Sequence, residues 1–283
     1  MLVLEAPQLS SSSLAARVRC RETGNLNRTM NNSWIIRHVV RPEAKVRLFC
    51  FPYAGSGATV YRPWALKLPT GIEVAAIVAP GRDGRLREPP ITSITGLVDA
   101  LLPHLEPELD RPFAFFGHSM GAVLATEVTR SLAERGGPVP GHLFVSARKP
   151  LHLPGTESPL HSLSDEALVA EVQRRYGGIP REVLQERDLM ALLLPCLRAD
   201  LTALETHRPP RRAPLSCPIS VFGGDADALT SRAELEAWAG ESTGSFRLRV
   251  FSGGHFYLVS HQAELLADLA ATLGGLCYRD RAP

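Results

Sequence analysis

Gly117-His118-Ser119-Met120-Gly121 sets a serine between two glycines, each two residues away. Phe113-Ala114-Phe115-Phe116 before it is an apolar run of buried-strand length, and Ala122-Val123-Leu124-Ala125 after it opens a small-residue helix. A serine at such a junction sits on a nucleophile elbow, a turn so sharp that both flanking positions must lack bulk. The hydroxyl is raised above the sheet, and the backbone N–H of Met120 is aimed at whatever Ser119 attacks. A free hydroxyl is a weak nucleophile at neutral pH, so Ser119 needs a base, and the base needs a group that orients it.

Two glycine-rich loops downstream carry the candidates. Cys217-Pro218-Ile219-Ser220-Val221-Phe222 reads as a strand that runs into Gly223-Gly224-Asp225-Ala226-Asp227. Phe246 to Phe251 reads as the last strand and runs into Ser252-Gly253-Gly254-His255-Phe256-Tyr257. Of nine histidines, only His255 and His261 follow the acidic loop. His255, in a Gly-Gly-His turn at a strand end, is the expected base; His261, at the start of the final helix, is expected at the surface. His118 flanks the nucleophile, but its side chain should point away from that of Ser119, which leaves it a packing or rim role. Spacing prefers Asp227 over Asp225 as the acid, because it lies a turn beyond the strand end, within reach of the imidazole N–H. Asp225 is left to bond loop backbone. Asp227 would hold the tautomer and stabilise the imidazolium without taking the proton. The chain order Ser, Asp, His is that of α/β-hydrolases, not of chymotrypsin or subtilisin.

A second oxyanion donor is expected after an early strand. Val46 to Phe51 is that strand, and Pro52-Tyr53-Ala54-Gly55-Ser56-Gly57-Ala58 follows it. The N–H of Ala54 is the candidate, with Gly55 next.

The elements that must position these groups alternate. Trp34-Ile35-Ile36 is a leading edge strand, Glu73 to Ala79 a further strand, Ile91 to about Leu109 an amphipathic helix, and His142 to Ala147 another strand. The fold class is therefore α/β, with a mostly parallel sheet flanked by helices. From about Arg148 to His207 no strand can be read, which predicts a helical lid insertion over about 148–212. Ser164 caps its first helix, Gly177-Gly178 closes it, and Pro180 suits the first turn of a second helix running through Leu189, Met190, Leu192, Leu193, Leu194 and Leu197. Leu189 to Leu197 is too apolar for a single core-facing stripe, so it either lines an apolar acyl pocket or is sandwiched. Arg82, Arg85 and Arg87 crowd one loop as either a solvated surface or a positive rim for an acidic partner.

The chain has 283 residues, 45% of them hydrophobic, enough for one large core over about 31–283. Residues 1–30, rich in Ser, Arg and Asn without hydrophobic period, are expected to be a disordered extension. A net charge of +2 makes no electrostatic case for nucleic acid. No apolar run is long enough to cross a bilayer. The five cysteines lack C-x-x-C spacing and read as reduced thiols in the cytoplasm, with no zinc site. Serine chemistry of this kind needs no cofactor or metal.

With these residues placed, the chain from about 45 to 273 resembles the type II thioesterases, stand-alone partners of polyketide synthases and nonribosomal peptide synthetases. The resemblance rests on Phe51-Pro52-Tyr53-Ala54-Gly55, Pro80-Gly81-Arg82 with Arg85 and Glu88-Pro89, Gly117-His118-Ser119-Met120-Gly121, Arg198-Ala199-Asp200 with Glu205, and Gly253-Gly254-His255-Phe256-Tyr257. It implies an α/β-hydrolase fold with a flexible helical lid. It also implies editing hydrolysis of acyl groups from the phosphopantetheine arms of acyl or peptidyl carrier proteins. Ser119, Asp227 and His255 would be catalytic, with Met120 and Ala54 as oxyanion donors. Arg82, Arg85 and Arg87, together with Arg148 and Lys149, are expected to meet an acidic carrier helix, and the enzyme is expected to be a monomer. Gly84, Ser56 and Ala228 depart from the family pattern in loop detail. A chain-releasing thioesterase or carboxylester hydrolase is the nearest rival, and a non-catalytic carrier-binding module the distant one.

Overall fold

The computed structural model describes residues 32–155, 158–179 and 181–279. The expectations for residues 1–30, Cys20 and Pro180 lie outside these described residues. A compact unit begins at Trp34. Its elements are β1 (Ile35–Ile36), β2 (Val46–Phe51), α1 (Arg62–Lys67), β3 (Ile72–Ile77), α2 (Ile94–Leu105), β4 (Phe113–His118), α3 (Met120–Glu134) and β5 (Leu143–Ser146). They continue with α4 (Asp165–Tyr176), α5 (Arg181–Gln185), α6 (Arg187–Thr206), β6 (Ile219–Gly224), α7 (Arg232–Glu236), β7 (Phe246–Phe251), α8 (Tyr257–Ser260) and α9 (Gln262–Arg279).

The strands form one sheet in the order β1-β3-β2-β4-β5-β6-β7. Only β1 is antiparallel, pairing Ile35 with Ile77; every other neighbour is parallel. A parallel sheet must be covered on both faces, and the alternation along β2 shows how. Phe49 and Phe51 point into the core shared with α2 and α3, while Val46, Leu48 and Cys50 point into the core shared with α1 and α9. Strand order reverses at β2, which has β3 on one side and β4 on the other. In open sheets of this kind the crevice beyond the carboxyl ends at such a reversal is the natural ligand site. The Ala54 loop follows the end of β2, and Ser119 follows the end of β4.

Between β5 and β6 the described residues hold helices and no strand, as the sequence predicts. The residues after Pro180, expected as one helix, form two: α5, and then α6, which begins at Arg187 and runs unbroken through Pro195 to Thr206. Before Pro195, Leu189 and Leu192 are exposed; after it, Cys196, Leu197, Leu201 and Leu204 are buried. The final helix is interrupted at His261, which separates α8 from α9. Among the described residues, no helix is long and apolar enough to cross a membrane.

Candidate active site

Ser119 sits between β4 and α3 with φ +55° and ψ −115°, a conformation that a side chain disfavours. The packing that imposes it is visible at the two glycines. A Cβ on Gly117 would lie 2.2 Å from the Gly121 carbonyl oxygen, and one on Gly121 would lie 2.0 Å from the Phe51 carbonyl oxygen. The Ser119 N–H donates to the Ser146 carbonyl at 2.8 Å, so β5 also holds the turn. Met120 is the first residue of α3, where an N–H has no acceptor within the helix.

The loops after β6 and β7 bring Asp227 and His255 together. His255 Nδ1 lies 2.9 Å from Asp227 Oδ2, and both side chains are almost fully buried. The Asp227 carboxylate also accepts the Leu229 N–H at 3.0 Å and the Thr230 hydroxyl at 2.9 Å. Burial opposes its ionisation, but the hydrogen bond and charge of His255, with the Leu229 and Thr230 donors, outweigh burial and hold its pKa below the ordinary carboxylate value. The other ring nitrogen, His255 Nε2, is buried and makes no hydrogen bond among the described residues. The Tyr176 ring stands edge-on to the imidazole, with centroids 5.0 Å apart. Asp225 does not reach the ring; it accepts the Gly253 N–H at 2.9 Å and so ties the two loops to each other. His261 bonds Ser252 and Glu264 away from the site.

His118 is a packing residue, not a rim residue. It is fully buried, with Nδ1 2.8 Å from Ser146 Oγ, which in turn lies 2.5 Å from the Tyr257 hydroxyl. Burial, reinforced by neighbouring His255, holds the pKa of His118 well below the usual imidazole range.

On the opposite side, Gly55 has φ +74° and donates its N–H to Asp200 Oδ2 at 2.8 Å. That N–H is therefore committed, and of the two candidates in this loop only the Ala54 N–H has no acceptor among the described residues.

The expected docking rim needs correction. Arg82 is turned inward, half-buried in a two-pronged pair with Asp200, at 2.7 and 2.8 Å. Arg85 donates to Glu88 and to the Val78 carbonyl, and its guanidinium lies over the Trp34 ring. Both are structural cations turned inward, and only Arg87 of the three is exposed. Sequence reasoning missed Asp200 as the partner that makes this burial possible. It also left Arg198 and Glu205 without a role. Arg198 donates to the His161 and Leu163 carbonyls and pairs with Asp165, and Glu205 accepts the Leu160 and His161 N–H groups, so α6 straps down the segment leading into α4.

Two cavities meet at Ser119, Tyr176, Leu204 and His255. The first, about 190 Å³, is walled mainly by α4 and α6, with Val172, Met190, Leu193, Leu197 and Leu201 facing the Ala54 loop. The second, about 660 Å³, is a polar cleft whose wall carries seven Lys and Arg residues against three Glu. Arg130 and Arg212 are paired with Glu241 and Glu127, whereas exposed Arg208 donates to backbone carbonyls and exposed Arg211 lines the same cleft. Arg148 and Lys149 line this cleft; Arg82, Arg85 and Arg87 do not.

The pattern of the thioesterase domain family matches residues 46–273. The gramicidin S biosynthesis protein GrsT of Aneurinibacillus migulanus is 37% identical over 242 residues, covering 86% of this chain and 94% of that protein. The solved structure of RedJ, a thioesterase from the prodiginine pathway of Streptomyces coelicolor, superposes with a TM-score of 0.77 at 40% identity, covering 82% of this chain and 92% of that one. BorB, a type II thioesterase from the borrelidin biosynthetic cluster, gives 0.76 at 37% identity over 85% and 96% of the two chains.

Proposed function

This chain belongs to the thioesterase domain family, and from that premise we propose that it clears acyl groups from carrier-protein phosphopantetheine arms, with Ser119, His255 and Asp227 as its triad. The observation that carries the reading is the state of His255. One nitrogen is engaged by Asp227, the other is buried without a hydrogen-bond partner among the described residues, and the ring shares an apolar cavity wall with the strained Ser119.

In this reading the acyl chain occupies the apolar cavity and the thioester carbonyl oxygen takes the N–H groups of Met120 and Ala54. Ser119 attacks the carbonyl carbon while His255 Nε2 receives the hydroxyl proton. The tetrahedral intermediate collapses, the carbon–sulfur bond breaks, and His255 returns the proton to the leaving thiolate. A thiol with a pKa of about 8.5 is a good leaving group, so acylation asks less of the acid than it would with an alcohol. Water, deprotonated by His255, then attacks the acyl-serine and releases the free acid.

The polar cleft receives the phosphopantetheine arm, and Arg208, Arg211 and Arg148 at its wall replace the inward-turned Arg82 and Arg85 as the surface for an acidic carrier. An editing role is supported by the likeness to relatives named for gramicidin S biosynthesis and, as a type II thioesterase, for the borrelidin cluster. The buried, free thiols of Cys50, Cys196 and Cys217 suit a reducing compartment such as the cytoplasm.

Turnover of acyl-carrier thioesters beside simple carboxylic esters of the same acyl group tests this. The reading expects the carrier thioester to be preferred. Preference for the ester makes the protein a carboxylester hydrolase on the same scaffold.

A further inference from the structure

We propose that Arg82 and Asp200 are positioning residues that set the direction of the Ala54 N–H by seating the Tyr53–Ser56 turn on α6, an inference that rests on Ala54 being an oxyanion donor. The Tyr53 carbonyl and the Ala54 N–H belong to one planar unit and point in opposite directions, so whatever holds the carbonyl aims the N–H. Ser56 holds it twice, through its N–H at 3.1 Å and its hydroxyl at 2.7 Å. Ser56 is itself held, because its carbonyl accepts from Arg82 at 2.9 Å. The same guanidinium is locked to Asp200, whose Oδ2 also accepts the Gly55 N–H. Every residue of the turn after Ala54 is thus referred to one carboxylate on α6.

Two features say that this arrangement serves geometry. First, a buried ion pair is a poor source of net stability, since desolvation of both charges offsets most of their attraction. The Asp200 side chain is 1% exposed and that of Arg82 is 11% exposed. Second, Leu197, one turn before Asp200 on the same helix face, meets the turn directly, so that a Cβ on Gly55 would approach its Cδ1 to 3.0 Å. Leu197 also lines the apolar cavity, as do Leu201 and Leu204. The helix that walls the acyl site therefore also sets the oxyanion donor.

The test compares Asp200→Val, Asp200→Asn, Arg82→Met and Ser56→Ala with wild type. Three quantities are read: steady-state thioester turnover, affinity for an acyl trifluoromethyl ketone that forms a tetrahedral oxyanion on serine, and affinity for the matching thioether, which cannot. Misdirecting one oxyanion donor should lower kcat about 30- to 100-fold in Asp200→Val and Arg82→Met, with KM within about threefold. Trifluoromethyl ketone affinity should fall by the same factor while thioether affinity holds. Asp200→Asn keeps an acceptor for the Gly55 N–H and should lose less, and Ser56→Ala, which leaves the ion pair intact, should lose about three- to tenfold. The proposal is overturned if folded variants keep wild-type kcat, if ketone and thioether affinities fall together, or if all four variants merely lose thermal stability. If the ketone fails to form an adduct with Ser119 of the wild type, the catalytic reading itself has failed, a result distinct from equal binding by wild type and variants.

Discussion

His255 Nδ1 lies 2.9 Å from Asp227 Oδ2, while Asp225, two residues earlier in the same loop, spends its carboxylate on the Gly253 N–H. The two aspartates that sequence spacing could only rank are thus separated by what each one holds. Asp227→Asn should leave the fold intact and lower kcat about 10,000-fold, because the wrong tautomer would be stabilised at His255. Asp225→Asn should lower it by less than about tenfold. Comparable losses in the two variants, measured as kcat on one thioester, would contradict the assignment.

The elbow has no room for a methyl group. Gly121→Ala would drive a Cβ into the Phe51 carbonyl, backbone against backbone, so nothing flexible can yield. We expect a loss of about 3 kcal/mol or more in urea unfolding, at the upper end of the usual overpacking penalty. A variant with wild-type stability would mean that β2 and α3 are not so closely packed.

His118 predicts a pH dependence of stability. The folded protein keeps this ring neutral, whereas in the unfolded chain it titrates near 6.5. Below that value the unfolded state binds a proton that the folded state refuses, so stability falls as pH drops, with a slope from this ring of up to about 1.4 kcal/mol per pH unit. His118→Gln should flatten the profile between about pH 6.5 and 5 in denaturant titrations. Parallel profiles for the two proteins would contradict it.

Much of the fold is legible in the sequence because most strands are short apolar runs and the long helices show their period. Ser119 and His255 are legible because strand ends followed by glycine-rich loops have few other uses. The failures share one physical cause. Arg82 and Arg85 lie in a Pro-Gly-rich, charged loop that looks solvated, and nothing local signals that Asp200, 118 residues away, will bury one of them. Nothing local shows, either, that Arg198, Asp200 and Glu205 of α6 bind partners on other segments. The two cavities arise only where the insertion meets the sheet, so no stretch of sequence contains either.

Charge placement gives a further expectation. The paired substitution Arg208→Glu and Arg211→Glu should lower kcat/KM for an acyl-carrier protein about tenfold at low salt, and less at high salt, since exposed charges act over about a Debye length. Turnover of a small acyl thioester without a carrier should stay within about twofold, and Arg87→Glu, outside the cleft, should change neither. Equal losses on both substrates would place these arginines in folding or chemistry instead of docking.

The central claim is that Ser119 is the nucleophile that removes acyl groups from a carrier. Its most direct test is the intact mass of an acyl-phosphopantetheinyl carrier protein incubated with wild type and with Ser119→Ala. Wild type should return the carrier to its free-thiol mass while Ser119→Ala leaves the acyl mass in place. Deacylation by the alanine variant at the wild-type rate would contradict the account.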